Sequence, residues 1–465
     1  MSRGHSAAGW LRCLGPWRVR GPAAQRLGLL LCATLVWDLV LVLDGRLPPG
    51  WSGAAVLATV VIYPVLGVVC ALALRQPIPP WLRSWGPERV LVGAPVVALL
   101  AVLVVGLQVP SLLRSRAGIG ADVTATTVCA ARDVLAGRDP YATGEAACLH
   151  RLHAPVTIAT PLQRGPFQGV LHYPSAAALR RAEALAVRDH GRSSAFPQFG
   201  YPPMSFVFML PVARAPRAAW IAWTMAAALA WLLVAGRASG TLWPATVMCL
   251  LLQFGGGSVL GAATQGDGEF FAYALATLAL LLLDRPRLSG ALLALAAATN
   301  PLIWLVVPGY LVLGLRLSRW RGRLGWFAAT LLLAVGPWLL VDRNAAGAIF
   351  ALVRQPAYAF GIGLISELGA APSPALRSVL LGVEGAALLL LVAGCGLRPR
   401  WRFVAPAVSV AVLWVAWRSD ANYLAQLFPL AVATTVGVHR LTGRTPPGKP
   451  TGGSPAVAPA GAAAP

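Results

Sequence analysis

Acidic side chains are scarce in this sequence, and their positions mark where chemistry could take place. Asp and Glu make up 16 of the 465 residues, against 38 Lys and Arg. Asp122 opens a long polar stretch, and Gln265 and Asp267 stand just before an apolar run. An acid at the end of a membrane helix costs free energy unless it faces water or a partner. Each position is therefore a candidate site, with a helix cap or a solvated loop as the simpler alternative.

Three further polar groups interrupt or follow apolar runs. Asn300 stands before a proline in the middle of one run, Arg343 follows another, and Arg418 and Asp420 lie between the last two. An Asn-Pro pair alone more often interrupts a helix than binds a ligand. We single these residues out because the predicted topology puts all of them on the same side of the membrane as Asp122.

The residues after Asp122 predict a helix with a defined end. Asp122, Thr126 and Cys129 follow helical spacing. We expect a helix over about 123–135, with Asp122 as its N-cap and Gly137 closing it. The Asp-Pro-Tyr sequence that follows the glycine predicts a turn.

The seven cysteines are scattered and form no CxxC motif or Cys/His cluster, so we predict no metal site. Cys129 and Cys148 are the only pair that shares one hydrophilic stretch. If that stretch is extracytoplasmic, the two could form a disulfide. Two separate thiols are the alternative.

The composition predicts an all-α polytopic membrane protein. Hydrophobic residues make up 57% and charged residues 12% of the chain, whereas about a quarter of a soluble domain is charged. A spanning helix needs ~20 mostly apolar residues. About 12 segments are candidate spans, namely 27–43, 52–74, 90–109, 203–236, 243–261, 268–283, 288–299, 301–315, 324–341, 378–396, 402–417 and 422–439.

The arginine distribution explains the net charge of +22 and predicts the topology. Arginines lie mainly between apolar runs and form no basic face with interleaved aromatics, so we expect no nucleic-acid partner. Residues 1–26 carry five arginines and no acid, which predicts a cytoplasmic N-terminus. Three spans in 27–109 then put residues 110–200 outside, as an extracytoplasmic loop with short helices. Residues 201–440 form the main bundle, and 441–465 form a disordered cytoplasmic tail.

Residues 288–315 lie between two arginine-rich turns, so the chain must enter the membrane and return within this segment. Asn300 and the proline after it divide the segment into halves of about 12–15 residues, each reaching only ~18–22 Å. We expect a short hairpin whose tip, at Asn300, stops below the outer surface. Broken backbone at that depth needs cover by protein or water, which predicts a cavity open to the outside.

Four segments, taken in order, resemble the membrane mannosyltransferases of glycosyltransferase family 87, which belong to the GT-C class of multi-span enzymes. The first is an Asp and a helix ending in Leu-x-Gly-x-x-Pro-Tyr, here Asp122 to Tyr141. The second is Tyr-Pro-Pro at 201–203, where a membrane segment begins. Gln-Gly-Asp at 265–267 stands in place of a Gly-Gln-x-Asn motif, and Asn300 stands where the family has a lysine.

The resemblance implies a GT-C-like bundle and an inverting hexosyltransferase that takes mannose or another hexose from a polyprenyl-phosphate sugar. Asp122 would act as general base on the acceptor hydroxyl, a role worth ~10²–10⁴-fold. The acceptor would be a cell-envelope glycolipid or glycan at the outer face of the plasma membrane, and we expect no cofactor and no metal. The expected substrate-binding residues are Tyr141, Tyr201, Gln265, Asp267, Asn300, Arg343, Arg418 and Asp420.

Two alternatives to an active transferase stay open. A transporter or lipid-linked-sugar flippase also uses broken helices, but should carry its polar groups at mid-membrane depth between two similar halves. A catalytically degenerate family member is the second, because Asn300 replaces the lysine and the Gly-Gln-x-Asn motif is rewritten. An enzyme should carry its polar groups at the outer rim, beneath the loop 110–200.

Overall fold

A computed structural model describes the chain from Asp122 onward, in parts. The described residues are 122–152, 154, 156, 167, 170–188, 199–213, 223, 226–227, 229–230, 234, 268–315, 317, 319–342, 345–349, 360–361, 374–397, 405–414, 418–419, 423 and 426–443. The predicted segments 1–26 and 27–109 lie outside the described residues. The predicted disordered tail 441–465 begins too early, because its first three residues belong to the last helix; the rest of it lies outside the described residues.

The described part is mostly helical, as the sequence predicts. The helices are α1 (Asp122–Leu135), α2 (Ala146–Arg151), α3 (Ala176–Arg188), α4 (Met204–Val207), α5 (Gly268–Leu281), α6 (Pro286–Thr299), α7 (Val306–Gly314), α8 (Trp320–Val341), α9 (Pro374–Leu397), α10 (Ala405–Val408) and α11 (Leu427–Gly443). Three 3₁₀ helices span Leu210–Val212, Pro301–Leu305 and Ser409–Trp414. Two-residue strands β1 (Phe360–Gly361) and β2 (Arg418–Ser419) pair in parallel, with Phe360 opposite Arg418.

The predicted break at Asn300 is confirmed. Asn300 is extended, with φ −140° and ψ 132°, and its side chain accepts a hydrogen bond from the Leu302 N–H at 2.8 Å. The chain turns back there, because the hydroxyls of Ser289 on α6 and Tyr310 on α7 lie 2.8 Å apart. The segment therefore folds into the two-part hairpin that its flanking arginines predict.

Two of the described helices are long and apolar enough to cross a membrane, and both coincide with predicted spans. They are the 22-residue α8 and residues Val379–Leu397 of α9. Both expose large apolar side chains, including Leu340 (87%) and Leu397 (81%). Such faces are disfavoured in water and match a lipid environment.

One predicted span differs from the structure. The sequence predicts one membrane helix over 402–417, but the described part of this segment holds only the four-residue α10 and the 3₁₀ helix Ser409–Trp414. Ser409 bonds through its hydroxyl to the carbonyl of Pro406, at 3.0 Å. A proline at that position and a side chain that competes for backbone carbonyls both disfavour a continuous α-helix.

Glycines allow the bundle helices to cross at very short distances. A Cβ on Gly290 of α6 would lie 2.2 Å from the Arg323 carbonyl oxygen of α8. A Cβ on Gly437 of α11 would lie 2.1 Å from the Leu280 carbonyl oxygen of α5. Small residues permit such backbone contact between membrane helices.

Charged groups join the helices at the end of the bundle where α6 and α8 begin. Arg323 is buried and donates a hydrogen bond to the Leu283 carbonyl at 2.7 Å. The Asp284 carboxylate lies 3.1 Å from Arg440 of α11 and 3.9 Å from Arg285. This end therefore carries the ion pairs that link α11 to the turn between α5 and α6.

Candidate active site

The helix that carries the candidate base forms almost where the sequence predicts. Asp122 is the first residue of α1, rather than the residue before it, and its carboxylate lies outside the described part. The helix ends at Leu135, and Gly137 adopts φ +71°, a conformation that glycine adopts without strain. The Arg138 N–H returns to the Asp133 carbonyl at 2.8 Å, which closes the helix as expected.

Helix α1 lies between two hydrophobic clusters. Val128 and Ala131 are fully buried in the main core of the bundle. Ala125 and Cys129, on another face, pack in a second, smaller cluster with residues of α2 and α3 such as Leu179. The loop helices therefore hold α1 against the bundle.

The two cysteines of the loop form a disulfide, which decides between the two alternatives left by the sequence. Cys129 of α1 and Cys148 of α2 are joined at an S–S distance of 2.05 Å. The bridge ties the helix that begins at Asp122 to the rest of the loop.

Removing this bridge should destabilise the loop. For the double variant Cys129→Ser/Cys148→Ser, we expect the free energy of unfolding to fall by ~2–4 kcal/mol. Without the bridge, the unfolded chain has more conformational freedom. Thermal unfolding of the purified protein in detergent measures this. Cys395→Ala, which removes a thiol that forms no disulfide, is the control. Equal midpoints for wild type and double variant, or alkylation of Cys129 before reduction, would contradict the bridge.

The turn after α1 connects two of the expected binding residues. The Tyr141 N–H bonds to the Asp139 carboxylate at 2.8 Å, which forms the predicted turn. The fully buried Tyr141 hydroxyl donates to the Tyr201 carbonyl at 3.0 Å. Burial, followed by the charges of Asp342 and Asp139, raises the pKa of Tyr141 above its ordinary value, so the phenol stays protonated. The hydrogen bond from this phenol holds the turn against the Tyr-Pro-Pro segment.

Aromatic contacts extend from this turn to the end of α8. The Phe206 ring lies 6.1 Å from that of Tyr141 and 4.8 Å, edge to face, from that of Trp338. Asp342 follows one turn later and is 8% exposed. The loop, α4 and the last turn of α8 therefore meet.

Several polar residues lie together at one end of the helical bundle. Gly290, near the start of α6, lies against Arg323, near the start of α8, so both helices begin at the same end. Asn300 and Asp342, which follow these helices, therefore lie at the other end. Helix α5 precedes α6 through a short turn, so Glu269 in its first turn lies there too. Helix α1 contacts α4 and α5.

Asn300 and two acids are buried at this end of the bundle. Asn300 is 1% exposed, and its side-chain oxygen caps the 3₁₀ helix, as its simpler interpretation predicts. Glu269 and Asp342 are also buried, and neither is among the expected binding residues. Both belong to polar groups that the sequence indicates, but nothing local distinguishes them from their neighbours.

Of the remaining expected binding residues, the structure describes only one. Arg418 is described by its backbone, in strand β2. Four more lie outside the described residues, namely Gln265, Asp267, Arg343 and Asp420. Helix α5 begins directly after Asp267, and Asp342 precedes Arg343.

The exposed leucines of the two long apolar helices match a lipid environment. The model of glycosyltransferase family 87 matches residues 199–439, more than half of the chain. The chain therefore belongs to glycosyltransferase family 87, a family of membrane glycosyltransferases. No curated protein and no solved structure matches it. The match includes Tyr201 and Asn300, whereas Asp122 and Tyr141 precede it.

Proposed function

We propose that this glycosyltransferase moves mannose or another hexose from a polyprenyl-phosphate sugar to a cell-envelope glycolipid or glycan. Family membership supports sugar transfer. One observation carries the rest: α1, which begins at Asp122, packs on α4 and α5, and α5 begins at the end of the bundle where Asn300 and Asp342 lie. A helix held there can bring its first residue to a lipid-borne substrate.

In this mechanism Asp122 takes the proton of the acceptor hydroxyl. The acceptor oxygen forms a bond to the anomeric carbon, and the bond from that carbon to the phosphate oxygen breaks, with inversion. The polyprenyl phosphate leaves with the electron pair. Charge-assisted bonds from arginine suit phosphate oxygens, so Arg343 and Arg418 are proposed at the donor phosphate. The remaining proposed substrate-binding residues are Tyr141, Tyr201, Gln265, Asp267, Asn300 and Asp420. No metal or cofactor takes part.

The proposed side of the membrane is the extracytoplasmic side of the plasma membrane. A disulfide in the loop supports this, since disulfides persist in oxidising compartments. The opposite end of the bundle carries the exposed Arg285, Arg287, Arg319 and Arg321, as cytoplasmic turns do. Helix α11 pairs with that end through Arg440, which supports a cytoplasmic C-terminus. The proposed topology is multi-pass, with both termini in the cytoplasm.

The test is transfer by the purified protein in lipid nanodiscs. Radiolabelled polyprenyl-phosphate-mannose and GDP-mannose are offered separately, with a glycolipid extract as acceptor. We expect labelled product from the polyprenyl donor alone. Transfer from GDP-mannose would contradict the proposed donor. Movement of the lipid-linked sugar across the bilayer without transfer would instead support a flippase.

A further inference from the structure

Exposed arginines lie together at the end of the bundle opposite to Asn300. The starts of α6 and α8 are neighbours there, because a Cβ on Gly290 would lie 2.2 Å from the Arg323 carbonyl oxygen. Several positive charges in one place repel one another and favour an anionic partner. This arginine cluster consists of Arg285 and Arg287 at the start of α6 and Arg319 and Arg321 at the start of α8, all exposed.

The acid beside the arginine cluster does not balance its charge. The Asp284 carboxylate lies 3.1 Å from Arg440 of α11 and 3.9 Å from Arg285. Within the part of the chain that the structure describes, the other three members of the cluster form no ion pair. The cluster therefore keeps an excess of positive charge that a partner from outside the chain can neutralise.

Two tryptophans indicate that the arginine cluster lies at the level of lipid headgroups. Trp320 and Trp326, in the first two turns of α8, are 38% and 46% exposed. Exposed indoles near the end of an apolar helix are typical of the membrane–water interface. The Arg321 guanidinium lies 5.5 Å from the centroid of the Trp320 ring, within the range of a cation–π contact. Arg321 therefore lies at the depth of the phosphate groups of one leaflet.

An apolar strip leads from Arg321 along the outside of α8. Ala328, Leu332 and Leu339 follow Arg321 by about two, three and five helical turns, so all four lie on one face. All four are exposed. Leu332 lies about 16 Å from Arg321 along the axis, at 1.5 Å per residue. A phospholipid has the same order of groups, with a headgroup at one end and acyl chains below it.

We propose that the arginine cluster binds the headgroups of anionic phospholipids in the leaflet that it meets, with their acyl chains along the apolar strip of α8. Charge-assisted bonds from arginine suit phosphate oxygens, and arginines near an anionic leaflet are attracted to it. A zwitterionic lipid carries its own cation and is therefore bound less well. This surface does not depend on the proposed sugar transfer, because it lies at the end of the bundle away from Asn300.

The test offers the full chain two lipids that differ in headgroup charge. Delipidated protein in neutral detergent is mixed with equal amounts of phosphatidylglycerol and phosphatidylcholine that carry the same acyl chains, and native mass spectrometry measures the ratio bound. The wild type should bind phosphatidylglycerol in excess. Arg287→Gln/Arg321→Gln should lower that excess by roughly five- to thirtyfold, since each arginine near an anionic surface is worth about fivefold.

Arg180→Gln/Arg181→Gln is the matched control, because it removes the same charge from two exposed arginines of α3, outside the cluster. It should keep the wild-type ratio. Equal binding of the two lipids by the wild type would overturn the proposal. An equal loss in both double variants would overturn it too, because net charge alone would then explain the binding.

Thermal unfolding in the same detergent checks that each variant is folded. If Arg287→Gln/Arg321→Gln does not fold, Arg321→Gln alone should lower the excess of phosphatidylglycerol by roughly fivefold. An unchanged ratio in that variant would overturn the proposed lipid surface. Each of these outcomes leaves the proposed sugar transfer standing, because it is measured without donor or acceptor.

Discussion

Replacing Asp122 by Asn is expected to abolish most sugar transfer while the helical bundle stays folded. Asparagine keeps the size of the side chain but cannot take the acceptor proton, and general-base help is worth ~10²–10⁴-fold. The fall should appear in kcat, with little change in KM for the donor. Initial rates of transfer from polyprenyl-phosphate-mannose, in nanodiscs, measure it.

Asp133→Asn is the control for this prediction, because Asp133 lies in the same helix. Its carboxylate forms an ion pair with Arg138, so its loss should lower stability slightly and leave kcat nearly unchanged. Transfer that persists undiminished in Asp122→Asn would remove Asp122 from the mechanism. It would leave membership of the family untouched.

Gly290→Ala is expected to cause a large loss of stability, because it adds a side chain where two bundle helices cross. The new Cβ would lie 2.2 Å from the Arg323 carbonyl oxygen and 3.0 Å from the Phe327 nitrogen. Both neighbours are backbone atoms of α8, so the helices must separate. Overpacking of this kind costs ~1–3 kcal/mol or more. Separation also strains the bond from Arg323 to the Leu283 carbonyl. The midpoint of thermal unfolding in detergent measures the effect.

Gly385→Ala supplies the comparison for Gly290→Ala. Gly385 lies within α9, and a Cβ there would meet no atom within 4 Å. Alanine favours a helix over glycine by up to ~1 kcal/mol, so this variant should be as stable as the wild type or more stable. Similar midpoints for the two variants would show that the close crossing of α6 and α8 is wrong.

Local signals made parts of this fold predictable. Gly137 ends α1 because a helix commonly closes on a glycine with positive φ. Asn300 interrupts its hairpin because the following proline disfavours helical geometry at the residue before it. The two long helices follow from apolar length alone. In each case the cause lies within a few residues of the effect.

The features that the sequence does not predict depend on contacts between residues far apart in the chain. The Tyr141 hydroxyl meets the carbonyl of Tyr201, 60 residues away, and no local pattern indicates that partner. Arg323 looks like any arginine of a cytoplasmic turn, yet the crossing at Gly290 buries it. Asp342 directly follows an apolar run, and the sequence alone does not show that this residue is buried. Hydropathy shows where polar residues follow apolar helices. Which of these residues is buried depends on tertiary packing.

The length of α8 has a consequence for the bilayer in which this protein works. Twenty-two residues rise about 33 Å, close to the ~30 Å thickness of a typical hydrocarbon layer. Arg321 is exposed at one end, and Asp342 follows the other. In a thinner or thicker layer the helix must tilt or the lipids must adjust, at some cost in free energy. Host membranes of mismatched thickness should therefore shift Asp342 relative to the phosphate plane.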